Sequence, residues 1–159
     1  MLHRRIVQPC ALYFRCFIFA ALVLPLLGLS GCASIDRTIA PGRETAALRE
    51  VFVVKNLNDN HRLAEQLVVA LRARGLIAES GHLTLLPESA EAVVRYDDRW
   101  SWDFGQHMTY LRVALHDRGE VRPFASATRT KFVARSTNLE EALPPLLAEL
   151  FAPAPAKGR

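Results

Sequence analysis

The sequence predicts an α+β fold: a two-layer sandwich whose mixed sheet ends in a three-strand antiparallel meander, with two helices on one face. Three observations carry that expectation. The β-branched apolar run Val51-Phe52-Val53-Val54 precedes a segment of helical periodicity. Between Ala92 and Val133, three longer stretches alternate with a period of two and are joined by short loops. A second apolar helical stripe follows them. Two helices that each bury one stripe suit one apolar face of a sheet, and strand twist makes the first crossover right-handed.

Residues 1–31 read as a lipoprotein signal peptide that is removed. Arg4, Arg5 and Arg15 form a basic opening without an acid, and Phe17 to Leu29 is an uncharged run of 13 residues. A spanning helix needs about 20 residues, so the run suits export and not retention. Leu29-Ser30-Gly31-Cys32 then supplies a lipobox: small residues fit an extended backbone into a protease cleft, and the thiol of Cys32 takes the lipid. The partner this implies is a lipid bilayer, held through acylated Cys32. Alanine at position 33, where the sorting rule of enteric bacteria would place aspartate for inner-membrane retention, points to the inner leaflet of the outer membrane, facing the periplasm.

Removing those 31 residues from the 159 leaves 128, enough for one domain with one core. Three of the 20 basic residues leave with them, so 17 face 16 acids, and no nucleic-acid partner is implied. Cys10 and Cys16 leave too, and with Cys32 acylated no disulfide can form. The expected organisation is a lipidated tether over 32–48, a single domain over 49–151 and a disordered tail over 152–159. The tether assignment rests on Pro41-Gly42 and the lack of clear periodicity from Ala33 to Leu48.

Val51 to Val54 suits a strand buried on both faces. After an Asn- and Asp-rich loop, Asp59 or Asn60 is placed to cap a helix bearing Leu63, Leu67 and Leu71, which Gly75 ends. Leu76 to Glu79 suits an edge strand, and Ser80 to Ser89 a loop. From Ala92 to Phe104, alternation places Val94, Tyr96, Asp98, Trp100 and Trp102 on one face and Val93, Arg95, Asp97, Arg99 and Ser101 on the other. Gly105 marks the reversal into a strand from Met108 to His116, and Asp117 to Glu120 a hairpin loop before a third strand from Val121 to Val133. Thr137 to Glu140 fits a capping box for the last helix, which Pro144-Pro145 should kink or restart.

No catalytic, metal-ligating or cofactor-binding set is legible. Asp103-Phe104-Gly105 lacks the remaining kinase motifs, and there is no G-x-S-x-G, phosphate loop or dinucleotide fingerprint. His61, His82, His107 and His116 are scattered, and strand parity puts His107 and His116 on opposite faces unless a bulge intervenes. Asp98 differs in parity from both Asp97 and Asp103, so a carboxylate pair would need help from elsewhere in the fold. What remains is the stripe Tyr96, Asp98, Trp100 and Trp102, either core or a recognition surface. As core it should bury Trp102, whose replacement by alanine would cost about 3–5 kcal/mol, and Asp98 would need a donor such as an indole, a phenol or Arg112.

Tyr96, Trp100-Ser101-Trp102-Asp103 and Tyr110-Leu111 resemble small uncharacterised bacterial lipoproteins in which a Y-x-x-x-W-x-W-D strand precedes a Y-L strand behind a lipobox. The resemblance spans Glu91 to Lys131, implies the same fold and location, and brings no activity with it. At the level of fold alone, the element order is also similar to auxiliary lipoproteins of envelope lipid transporters and to small domains of secretion lipoproteins. The role expected from all of this is a non-enzymatic envelope accessory that binds a protein partner. The alternatives are a carrier for lipid or another apolar ligand, and a periplasmic hydrolase using Asp98 or Asp103 with His107.

Overall fold

The computed structural model describes residues 34–102, 105–130 and 138–153. Cys32 and the signal segment, Asp103, Phe104, Phe132, Thr137 and most of the tail lie outside them. In chain order the elements are β1 (Ser34–Ile39), β2 (Glu50–Val54), α1 (Leu63–Ala73), β3 (Ile77–Gly81), a 3-10 turn (Leu83–Leu85), β4 (Ala92–Trp102), β5 (Gln106–His116), β6 (Pro123–Thr130) and α2 (Leu139–Leu150). One six-stranded sheet runs β1-β6-β5-β4-β2-β3, with β2 parallel to β3 and β4 and the other pairs antiparallel. Both helices pack on one face, as the α+β two-layer sandwich requires.

The largest departure from the sequence reading is β1. Ser34 to Ile39 lies within the expected tether, yet it pairs residue for residue with β6 from Ser34↔Thr130 to Ile39↔Ala125. Its alternation is subtle because only Ile35 and Ile39 are apolar on the inward side, with Arg37 between them. Arg37 earns that place through its guanidinium, which donates to the carbonyls of Ala152 and Pro153 just past α2. An arginine there complements the negative helix end. On β6, Arg129 likewise reaches inward and donates to the Ala142 carbonyl at 3.0 Å. Two cations on the helix-side face thus fasten α2 to the sheet, a role their charge concealed.

Between the layers the space is filled. Val51, Val53, Val94, Leu111, Val113 and Leu115 from the sheet meet Leu63, Leu67 and Leu71 of α1 and Leu143, Leu146, Leu147 and Leu150 of α2, all buried. On the other face, Phe52 lies against Gly81, where an added Cβ would come within 3.1 Å of the ring, so β2 is covered on both sides. α2 passes through Pro144 and Pro145 as one helical span, not as two. Both prolines face solvent, so water can satisfy the carbonyls that lose a donor. Its cap is Asn138, which accepts from the Glu140 amide and donates to Glu141, one residue later than the expected Thr137 box. Among the described residues no helix is long and apolar enough to cross a membrane.

Candidate functional site

The hairpin of β4 and β5 extends past the end of β2, and what covers it decides how its aromatic stripe is used. Val53 is level with Val94, so β2 stops near Arg95. Tyr96 is still roofed, at 5% exposure, and its hydroxyl donates to Asp59 at 2.8 Å while accepting from the Asn56 amide at 3.1 Å. Asp59 also accepts from the amides of Leu63 and Ala64 at 2.8 Å and of His61 at 3.3 Å. It therefore caps α1 from three residues before the formal N-cap, Arg62, which sits in the left-handed region at φ 55°. Such a backbone costs about 1 kcal/mol for a residue with a Cβ, and the bonds to Asp59 offset it. Burial pushes the Asp59 carboxyl up, but the Ala64 and Leu63 amides, the Tyr96 hydroxyl and the His61 amide outweigh it, so the net pKa lies below the ordinary value. Burial, with the Asp59 bond and the charges of Asp59 and Asp98, drives the Tyr96 phenol well above its usual range.

Beyond Tyr96 the cover thins. Asp98 is half-buried and accepts from the Trp100 indole Nε1 at 2.6 Å, one of the donors expected for it. Trp100 is half-buried and stacks on His61 with ring centroids 3.8 Å apart. No described residue covers Trp102, which is 79% exposed. The stripe is thus divided, with Tyr96 in the core, Trp100 at its rim and Trp102 outside. The expectation that Trp102 is buried is corrected, and with it the large cost of its removal.

A register shift between Arg99 and Trp100 supplies the bulge on which the placing of His107 and His116 depends. Trp100 pairs with Met108 where Arg99 pairs with Tyr110, so Thr109 is the extra residue of a bulge. Met108 thereby joins the helix-side face, and His107 and His116 come to the same, opposite face after all. They remain nine residues apart along one strand, roughly 30 Å. Among the described residues no group of three histidine, cysteine, aspartate or glutamate side chains is placed to hold a metal. Asp98 is on the helix side and His107 on the other, so the sheet separates that hydrolase pair.

Two concave surfaces stand out among the described residues. One is a groove of about 880 Å3 between α1 and α2, lined by Val69, Ala70, Leu139, Leu143 and Pro144, with Trp100 and His61 at one end. The other, about 390 Å3, lies on the face away from the helices, where Arg95, Asp97, Arg112 and His116 project. His116 is buried and its Nδ1 has no partner. Burial, then the positive charge of Arg95, lowers its pKa below the usual histidine value. Sequence reasoning anticipated Asp59 as a cap and the indole bond to Asp98. It missed the Tyr96–Asp59 bond, the His61–Trp100 stack and the inward arginines, because each joins residues on different elements, 13 or more apart in the chain.

No protein-family model matches the chain, and no curated protein does. Solved structures do. The PelC dodecamer from Paraburkholderia phytofirmans matches at TM-score 0.53 and 18% identity, over 77% of this chain and 96% of that one. A single-substitution PelC dodecamer from the same organism gives TM-score 0.51 and 19% identity over the same shares, 77% and 96%. A PDZ domain protein from Parabacteroides distasonis aligns at TM-score 0.45 and 9% identity over 74% of this chain and 34% of that chain, too remote to argue from. At these identities the likeness to PelC is one of fold.

Proposed function

We propose that this chain is a lipid-anchored accessory protein of the bacterial envelope that acts by holding protein partners and not by catalysis. The observation that carries the reading is the lipobox Leu29 to Cys32, which ends two residues before the first strand of a filled sandwich. Sheet and helices share one apolar core of buried side chains, and Asp98 and His107 lie on opposite faces of the sheet, both of which support that reading. Both PelC structures are dodecamers, which makes further copies of this chain the first partner to test.

The test is fatty-acid labelling of cells carrying the wild type or Cys32→Ser, with crosslinking in intact membranes. The expected result is label on the wild type alone and a crosslinked ladder, either of this chain or with a second envelope protein. Undiminished label on the variant overturns the anchor, and a chain that crosslinks to nothing overturns the partner role. Outer-membrane delivery is part of the proposal, and recovery with the inner membrane on a sucrose gradient would refute it. The groove between α1 and α2 favours a second reading, binding of an apolar ligand on the helix face. A change in Trp100 emission on adding a fatty acid would support it.

A further inference from the structure

The sheet face away from the helices carries a hollow beside the end of β2. That strand stops at Val54, one position past its last pairing of Val53 with Val94, while β4 and β5 run on. On the open face, register sets Arg95 opposite Ala114, Asp97 opposite Arg112 and Val93 opposite His116. Ala114 has no side chain beyond its Cβ, so Arg95, Arg112 and His116 surround an unfilled position. Residues opposite one another stand about 5 Å apart across an antiparallel pair, and diagonal neighbours about 7–8 Å apart. Lys55 lines the rim on the side of β2, and Val121 closes the end beside His116. The hollow measures about 390 Å3, within the range of small-molecule sites.

Its electrostatics are one-sided. The charges of Arg95 and Arg112 both bear on His116, so the three groups share one field. Among the described residues neither arginine takes part in an ion pair, although Asp97 is the register partner of Arg112. Lys55, by contrast, is paired with Glu65. His116 is 6% exposed, and its Nδ1 is buried with no hydrogen-bond partner. Gathering basic groups around a cleft concentrates positive potential there, and an anion that enters relieves their mutual repulsion. Guanidinium forks match paired oxygens on carboxylates and phosphates. Basic groups on three sides suit a tetrahedral group with three terminal oxygens better than a planar carboxylate with two. Asp97, exposed beside Arg112, is an acceptor for a hydroxyl next to that group.

We propose that this hollow binds the phosphate group of a small, soluble, hydroxylated phosphate ester, with Arg95 and Arg112 on its oxygens and His116 at the closed end. The site is independent of the anchor and of the partner role proposed above. It lies on the sheet face opposite α1 and α2, so a ligand here leaves the groove between the helices free.

The test is calorimetric titration of the full chain, purified in a neutral maltoside detergent, with glycerol 3-phosphate, inorganic phosphate and succinate at constant ionic strength. Both phosphates should bind, glycerol 3-phosphate the tighter, and succinate should bind more weakly than either. Arg95→Gln and Arg112→Gln should each weaken glycerol 3-phosphate by about tenfold or more. Arg95 is exposed, so its variant should keep the wild-type melting temperature and carries the comparison by itself if Arg112→Gln is destabilised. Arg99→Gln removes the same charge from the same face, where Arg99 lies over the Tyr110 ring and outside the hollow, and should bind like wild type. The ring resonances of His116, assigned against His116→Gln, should move on adding phosphate to wild type and stay in place in Arg95→Gln. Equal loss in Arg99→Gln and Arg95→Gln would mean attraction to overall charge and overturn the site. Failure of both phosphates to bind at millimolar concentration overturns it too. Succinate binding as tightly as the phosphates refutes the phosphate assignment, and binding confined to phosphatidylglycerol vesicles refutes a soluble ligand.

Discussion

Replacing Asp59 by alanine should destabilise the domain far more than its position in a loop suggests. The carboxylate holds three amides at the start of α1 and the hydroxyl of a buried tyrosine on β4. Loss of a capping side chain costs about 0.5–2 kcal/mol. A buried hydroxyl deprived of its acceptor costs about 1–3 kcal/mol more, reduced here because Tyr96 still accepts from Asn56. The expected total is about 2–4 kcal/mol, or roughly 8–16 °C of melting temperature for a domain of this size. Urea unfolding and thermal melts measure it. Asn at position 59 keeps one acceptor oxygen and should recover at least half of the loss. Tyr96→Phe should cost less alone, and the double variant should fall short of additivity because the two share one bond. Acid should expose the same contact. The folded carboxyl titrates below its ordinary value of 3.8, so the folded state holds fewer protons near that pH. Its contribution is complete above the unfolded value and is lost as pH falls through the folded one. The gap between wild type and Asp59→Asn should therefore narrow in acid. An Asp59→Ala variant that melts within about 2 °C of wild type would refute this account of the α1 start.

Two further outcomes follow from the sheet. A domain beginning at Ala40 lacks β1, with its ladder to β6 and its inward Ile35, Arg37 and Ile39, and should lose at least about 3 kcal/mol against one beginning at Ala33; equal urea midpoints would restore the tether. His116 titrates below its ordinary 6.5, from burial and from the charges of Arg95 and Arg112, while the carbonyls of Glu120 and Val121 favour its charged form. Its folded pKa is depressed, so the stability it contributes is present above about 6.5 and declines as pH falls toward the folded value. Melting temperatures of His116→Gln should fall less than those of wild type between pH 7 and pH 5, and parallel curves would deny His116 that part.

By itself, the sequence determined what local chemistry can specify. The period-3.6 stripes of Leu63, Leu67 and Leu71 and of Leu143, Leu146, Leu147 and Leu150 place two helices on one face. Period-two alternation from Ala92 onward specifies the meander, and glycine at 119, with φ 79°, closes its second turn. The lipobox proposed at Leu29 to Cys32 is a local pattern too. The tertiary structure decided everything that depends on a neighbour distant in the chain. β1 is a strand only because β6 offers an edge and α2 offers carbonyls to Arg37. The bulge at Thr109 transfers Met108 to the core and His107 to the opposite face, and no residue pattern announces one added position. The stripe from Tyr96 to Trp102 has uniform spacing in sequence but not uniform burial. Burial follows where β2, the loop before α1 and His61 come to an end, so the same alternation yields a core residue at Tyr96 and a bare indole at Trp102.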